Sequence, residues 1–193
     1  MNNRKLNRLY GYDYSSLGAY FVTICTKNKI NVLGKIENNE MHLNQFGEIV
    51  NSCWHDLINH YKNIELDEYI IMPNHFHGII WLVGNGLKPF QKTTNQPVGN
   101  GLKPFRRTTD QNITSTERNG LKPFPTQHGL PEIIRGFKTF SSRRVNEIKT
   151  NEPFRWQKSY FDRIIRNDKE LNNIRNYIIQ NPMNWEKDDN FQF

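Results

Sequence analysis

The chain has 193 residues, a mass of 23.0 kDa and a formal net charge of +7, enough for one well-buried domain and cramped for two. Hydrophobic residues make up 36% and charged residues 23%, which excludes a wholly disordered chain, and no apolar run approaches the roughly 20 residues that cross a bilayer. The polar, basic start has no signal-peptide core and Cys25 and Cys53 form no CxxC pair, so the expected setting is the reducing cytoplasm, without a membrane, and the basic excess points to an anionic partner such as nucleic acid.

Gly18 to Thr26 is rich in aromatic and β-branched residues and predicts a central strand. Val32 to Ile36 and Glu40 to Leu43 flank Asn38 and Asn39, whose tolerance of positive φ predicts a hairpin. Phe46, Ile49, Val50, Cys53, Trp54, Leu57, Ile58 and Tyr61 then follow helical spacing, predicting one amphipathic helix. Ile64 to Met72 and His75 to Leu82 read as paired strands turning at Pro73 and Asn74.

Val83 to Pro97 and Val98 to Asn112 agree at eleven of fifteen positions, and NGLKPF returns at Asn119 to Phe124. Each copy offers only Leu and Phe for burial, too little for a solenoid unit. The region from Val83 to His128 is therefore expected to be a flexible basic insert interrupting a single domain that spans residues 1–193. It carries seven basic and two acidic residues, so most of the net charge belongs to it.

Beyond it, Pro131 opens a predicted helix with Ile134, Phe137, Ser141, Val145 and Ile148 on one face and Arg135, Lys138, Arg143 and Arg144 largely off it. Trp156 to Ile165 predicts a last strand, and Asn167 with Glu170 resembles a capping box opening a final helix through Gln180 that Pro182 ends. The expected architecture is α+β: a ferredoxin-like antiparallel sheet with helices packed on one face.

His75 and His77 form an HxH pair in a strand, so both imidazoles project to one side while Phe76 goes to the other. Tyr177 and Asn181 share a helical face if the helix reaches its end, although Pro182 pushes Asn181 towards a frayed terminus. Taken alone, these residues also fit boundary packing and a plain helix cap.

Three stretches in order, RLYGYDYSSLGAYFVTICTKN, YIIMPNHFHGIIWL and WQKSYFDRIIRNDKELNNIRNYIIQNP, carry a resemblance. The chain resembles the REP-associated tyrosine transposases, which belong to the HUH enzymes that cut single-stranded DNA with one tyrosine. The resemblance implies that His75 and His77 bind a divalent metal, Mg²⁺ or Mn²⁺, that Tyr177 is the nucleophile, and that Asn181 helps hold the metal. It implies a hairpin-forming single-stranded DNA substrate, a 5′-phosphotyrosine intermediate, a role in DNA transposition, and a cytoplasmic, nucleoid-associated location. DNA contacts are expected from Arg135, Lys138, Arg143, Arg144, Arg4, Lys5 and Arg8; the sequence leaves monomer and homodimer open. A catalytically silent DNA-binding regulator on the same scaffold is the alternative. An RNA-binding module, prompted by GAYFV at Gly18 to Val22, leaves His75, His77 and Tyr177 unexplained.

Overall fold

The computed structural model describes residues 9–84, 128–148 and 152–188. Among the described residues there are six strands, β1 (Gly18–Cys25), β2 (Gly34–Glu37), β3 (Glu40–Leu43), β4 (Ile64–Ile71), β5 (His75–Leu82) and β6 (Phe161–Ile165), and four α-helices, α1 (Gln45–His55), α2 (Leu57–His60), α3 (Leu130–Ile148) and α4 (Asp168–Gln180). Strands β4, β5, β1 and β6 form one antiparallel sheet in that order. Without the β2–β3 hairpin, the run β1, α1, β4, β5, α3, β6 is the β-α-β-β-α-β plan of ferredoxin-like folds, as the sequence predicts. The hairpin turns at Asn38 and Asn39, with φ of 51° and 63°.

Strand β1 is central because Ala19, Tyr20, Phe21 and Val22 are all apolar and need cover on both faces. The same holds for β5, buried at every position from His75 to Leu82. Tyr20, Val22, Ile24, Phe76, Ile80 and Leu82 pack with Val50, Trp54, Ile134, Phe137 and Val145 of α1 and α3. On the opposite face, Ala19, Phe21, Ile79, Trp81 and Ile165 pack with Leu171, Ile174 and Ile178 of α4. The expectation of helices on one face is thus corrected: α1 and α3 cover one side and α4 the other, because alternate residues of β1 and β5 are apolar in both directions. Gly78 keeps the first layer tight, since a Cβ there would lie 2.8 Å from Trp54.

Other boundaries shift for local reasons. The predicted long helix breaks at Asp56 into α1 and α2, and Ile58 stays 48% exposed beyond the break. Asn44 caps α1, its Oδ1 accepting from the amides of Phe46 and Gly47. In the predicted last strand, only Phe161–Ile165 joins the sheet; Trp156 makes an isolated bridge to Thr26. The carbonyls of Gln157 and Lys158 instead accept from the Lys138 ammonium at 2.6 and 2.9 Å. Ile148 of α3 is also exposed.

Asn167 caps α4 by accepting from Glu170 N. Pro182 does not push Asn181 out of the helical region. Asn181 keeps φ −58° and ψ −42°, and Pro182 begins a 3-10 helix through Lys187, a first-turn position where its missing N–H costs nothing. Arg4, Lys5, Arg8 and all but the ends of the expected insert lie outside the described residues. Cys25 and Cys53 are not joined in a disulfide.

Candidate active site

The period of β5 turns His75 and His77 towards α4. Both are buried, their ring centroids 4.5 Å apart. Asn74, also buried, fixes the first ring: its Nδ2 donates to the Lys29 carbonyl at 3.0 Å, so its Oδ1 accepts from His75 Nδ1 at 2.8 Å. That bond places the proton of the neutral ring on Nδ1 and leaves the Nε2 lone pair towards Asp188. His77 is fixed from β1, where Thr23 Oγ1 lies 2.8 Å from Nδ1, and Phe21 stacks on its ring at 5.3 Å.

Leu171, Ile174 and Ile178 seat α4 on the sheet. Tyr177 therefore stands on the helix edge, 46% exposed, its phenol oxygen 3.3 Å from His77 Nε2. The 3-10 helix then folds the chain back over His75, with Trp185 5.8 Å from its ring and Asp188 Oδ2 4.0 Å from Nε2. Ligand atoms of His75, His77 and Asp188 all lie within 4.8 Å of one another. Asn181 is buried beside them, its Nδ2 donating to Asp188 Oδ2 at 3.4 Å.

Two buried atoms here, His75 Nε2 and Asn181 Oδ1, have at most each other as a hydrogen-bond partner. Buried polar atoms are normally satisfied, and a lone pair on each of these two, beside a carboxylate, is the donor set of a divalent cation site. Burial lowers the pKa of His75 to about 4, against the opposing pull of Asp188, and holds His77 well below 6.5, with His75 adding to the effect. Both rings are therefore neutral at physiological pH, the form that ligates metal.

A cavity of about 790 Å³ opens beside this cluster, lined by Tyr177, His77, Asp188, Arg163, Tyr160 and Gln157 among others. Neither Asp188 nor Asn74 carries a functional signal in the sequence. Asn74 reads there as a turn residue, and Asp188 reaches the site only because the chain continues helically through Pro182 and folds back.

No family model matches the chain. An uncharacterized protein of Haemophilus influenzae is 35% identical over 191 residues, covering 97% of this chain and 93% of the relative, so the two belong to one family. The solved structure of a REP-associated tyrosine transposase bound to a REP hairpin superposes with a TM-score of 0.52 at 16% identity, covering 91% of this chain and 73% of that one. The chain has the REP-associated tyrosine transposase fold. Within this fold, α4 is the element that carries Tyr177 to the histidine pair.

The residues expected to contact DNA divide by position. Arg135 and Arg143 are exposed on α3, the latter with its guanidinium 5.6 Å from the Phe140 ring centroid. Arg144 is held by Asp56 at 2.6 Å and by Cys53 Sγ at 3.5 Å, tying α3 to the end of α1. Lys138 is half-buried, its ammonium on two carbonyls. Among the described residues no helix is long and apolar enough to cross a membrane.

Proposed function

We propose that the protein is a transposase-like enzyme that cuts and rejoins hairpin-forming single-stranded DNA through a covalent 5′-phosphotyrosine on Tyr177. One observation carries this reading: an accessible phenol lies 3.3 Å from the outer nitrogen of a buried, neutral histidine pair at the edge of a cavity. The fold, shared with an enzyme solved on a DNA hairpin, supports it.

The residues divide the work. His75, His77 and Asp188 would hold a divalent cation, with Asn181 Oδ1 beside them; the carboxylate makes this set harder than two imidazoles and an amide, within reach of Mg²⁺ as well as Mn²⁺. When bound, the ion supplies charge neutralisation to a phosphate oxygen. Asn74 sets the tautomer of His75, and Thr23 holds the orientation of the His77 ring. Tyr177 Oη attacks the phosphorus as the phenol gives up its proton, the P–O3′ bond breaks, and the departing 3′ oxygen takes up a proton. A phosphodiester is exchanged for a phosphotyrosine diester, so no outside energy source is needed. A phenoxide is a better leaving group than an alkoxide, and attack by another 3′-hydroxyl restores a DNA linkage.

The test incubates wild type and Tyr177→Phe with labelled hairpin-forming single-stranded DNA in Mn²⁺ or Mg²⁺, followed by a denaturing gel. A covalent adduct with wild type alone is expected. Equal adduct from the Phe variant contradicts the assignment, and DNA binding with no adduct from either protein marks a silent DNA-binding regulator instead.

A further inference from the structure

A second cavity, of about 920 Å³, lies on the other side of the sheet edge between the outer face of α3 and residues 155–160. Its lining includes Arg135, Lys138, Arg155 and Lys158 with Trp156 and Tyr160. The single acid in that lining, Glu132, has its carboxylate 2.8 Å from His128 Nδ1. Gln157 and Tyr160 line this groove and the Tyr177 cavity alike.

The wall between the two spaces is built onto the active-site end of β1. Gln157 N donates to the Cys25 carbonyl and Lys27 N to the Arg155 carbonyl, while Cys25 is the register partner of His75. The Lys138 ammonium holds the wall from behind, on the carbonyls of Gln157 and Lys158, and burial lowers its pKa. Lys138 is thus a post for the rim, whereas Arg135, Arg155 and Lys158 are exposed and hold their charge on the groove.

We propose that this groove is the track for the unpaired DNA strand leaving the Tyr177 cavity: the strand crosses the rim at Gln157 and Tyr160 and lays its phosphates along Arg135, Arg155 and Lys158. The inference rests on the reading of the site as one that acts on single-stranded DNA. Exposed cations spaced along a groove that meets the Tyr177 cavity at the shared residues Gln157 and Tyr160 fit a flexible polyanion better than a rigid duplex.

The full-length chain and the Arg135→Ala/Arg155→Ala/Lys158→Ala variant are compared by fluorescence anisotropy over a salt series. One probe is a hairpin with a long unpaired flank and the other the same hairpin without it. Each phosphate contact to a single strand contributes about 0.7 to the slope of log K against log salt, so losing three flattens the slope for the flanked probe by about 2. The unflanked hairpin should bind both proteins alike. An unchanged slope with the flanked probe overturns the proposal, as does an equal loss with the unflanked hairpin, which would put duplex in the groove. If wild type binds neither probe, both readings fall. A flank-dependent slope that needs the three cations, with no adduct from either protein, upholds the groove and removes the cutting reaction.

Discussion

Asn74 and Asp188 do for the histidine pair what the HxH spacing cannot do alone: one sets the tautomer of His75, the other brings a carboxylate within 4.0 Å of its lone pair. Asp188→Asn should therefore weaken Mn²⁺ binding, measured by titration calorimetry, by at least the roughly 10–100-fold that loss of an outer-shell partner costs; an unchanged affinity would remove Asp188 from the site. The histidines also make stability depend on pH. His75 has a pKa of about 4 in the folded chain against 6.5 ordinarily, so the unfolded chain binds more protons in that window and stability falls as pH drops from 6.5 towards 4. In EDTA, wild type should lose on the order of 1–2 kcal/mol more than His75→Gln between pH 7 and 5 by urea unfolding; parallel losses would contradict this. His75 and His77 were legible because strand alternation fixes their common face. Asp188 was not, since its place depends on a tertiary return that no local period encodes.

Helix α4 needs an anchor as well as an apolar stripe, because the nucleophile it carries stands on its exposed edge. Arg175, two residues before Tyr177, grips Asp67 of β4 through Nε at 2.8 Å and Nη2 at 2.5 Å, and Trp81 Nε1 donates to the same carboxylate at 2.8 Å. These bonds outweigh the desolvation that burial imposes and lower the Asp67 pKa to about 2. Asp67→Ala leaves two donors unmatched and should cost roughly 3 kcal/mol in chemical denaturation, with faster amide exchange along α4; a change below about 0.5 kcal/mol would mean the grip is incidental. The strands, the hairpin at Asn38 and Asn39 and the caps at Asn44 and Asn167 follow from sequence because their signals are local. The side taken by α4 departs from the sequence expectation, although HFHGIIWL, apolar in both directions after its histidines, signals a strand covered twice. With α4 in place, Phe21 lies under a helix against His77 rather than on an open sheet, which disfavours the RNA-binding alternative.

Charge and the repeat-bearing insert set how the molecule as a whole is read. Asn63 binds both flanks of the insert: its carbonyl accepts from Val83 N at 2.9 Å and its side-chain amide donates to the His128 carbonyl at 3.0 Å. With entry and exit held on one residue, a short link can close the gap. Replacing residues 85–127 by a short Gly/Ser linker should leave the melting temperature within a few degrees of wild type, since loop length alters closure entropy only slowly; collapse of folding would show that the segment belongs to the core. The same replacement removes most of the net charge of +7, so a substantial share of salt-dependent DNA affinity should go with it while the adduct reaction stays, read by anisotropy and by denaturing gel. What decides between an enzyme and a binding protein on this scaffold is where DNA becomes attached. Wild-type protein reacted with a hairpin-forming oligonucleotide and a divalent cation, then digested with nuclease and trypsin, should yield Asn176–Lys187, in which Tyr177 is the sole tyrosine, heavier by a nucleotide 5′-phosphate in mass spectrometry. The nucleotide on any other peptide, or on none across a broad set of hairpins that the protein binds, would contradict Tyr177 as the nucleophile.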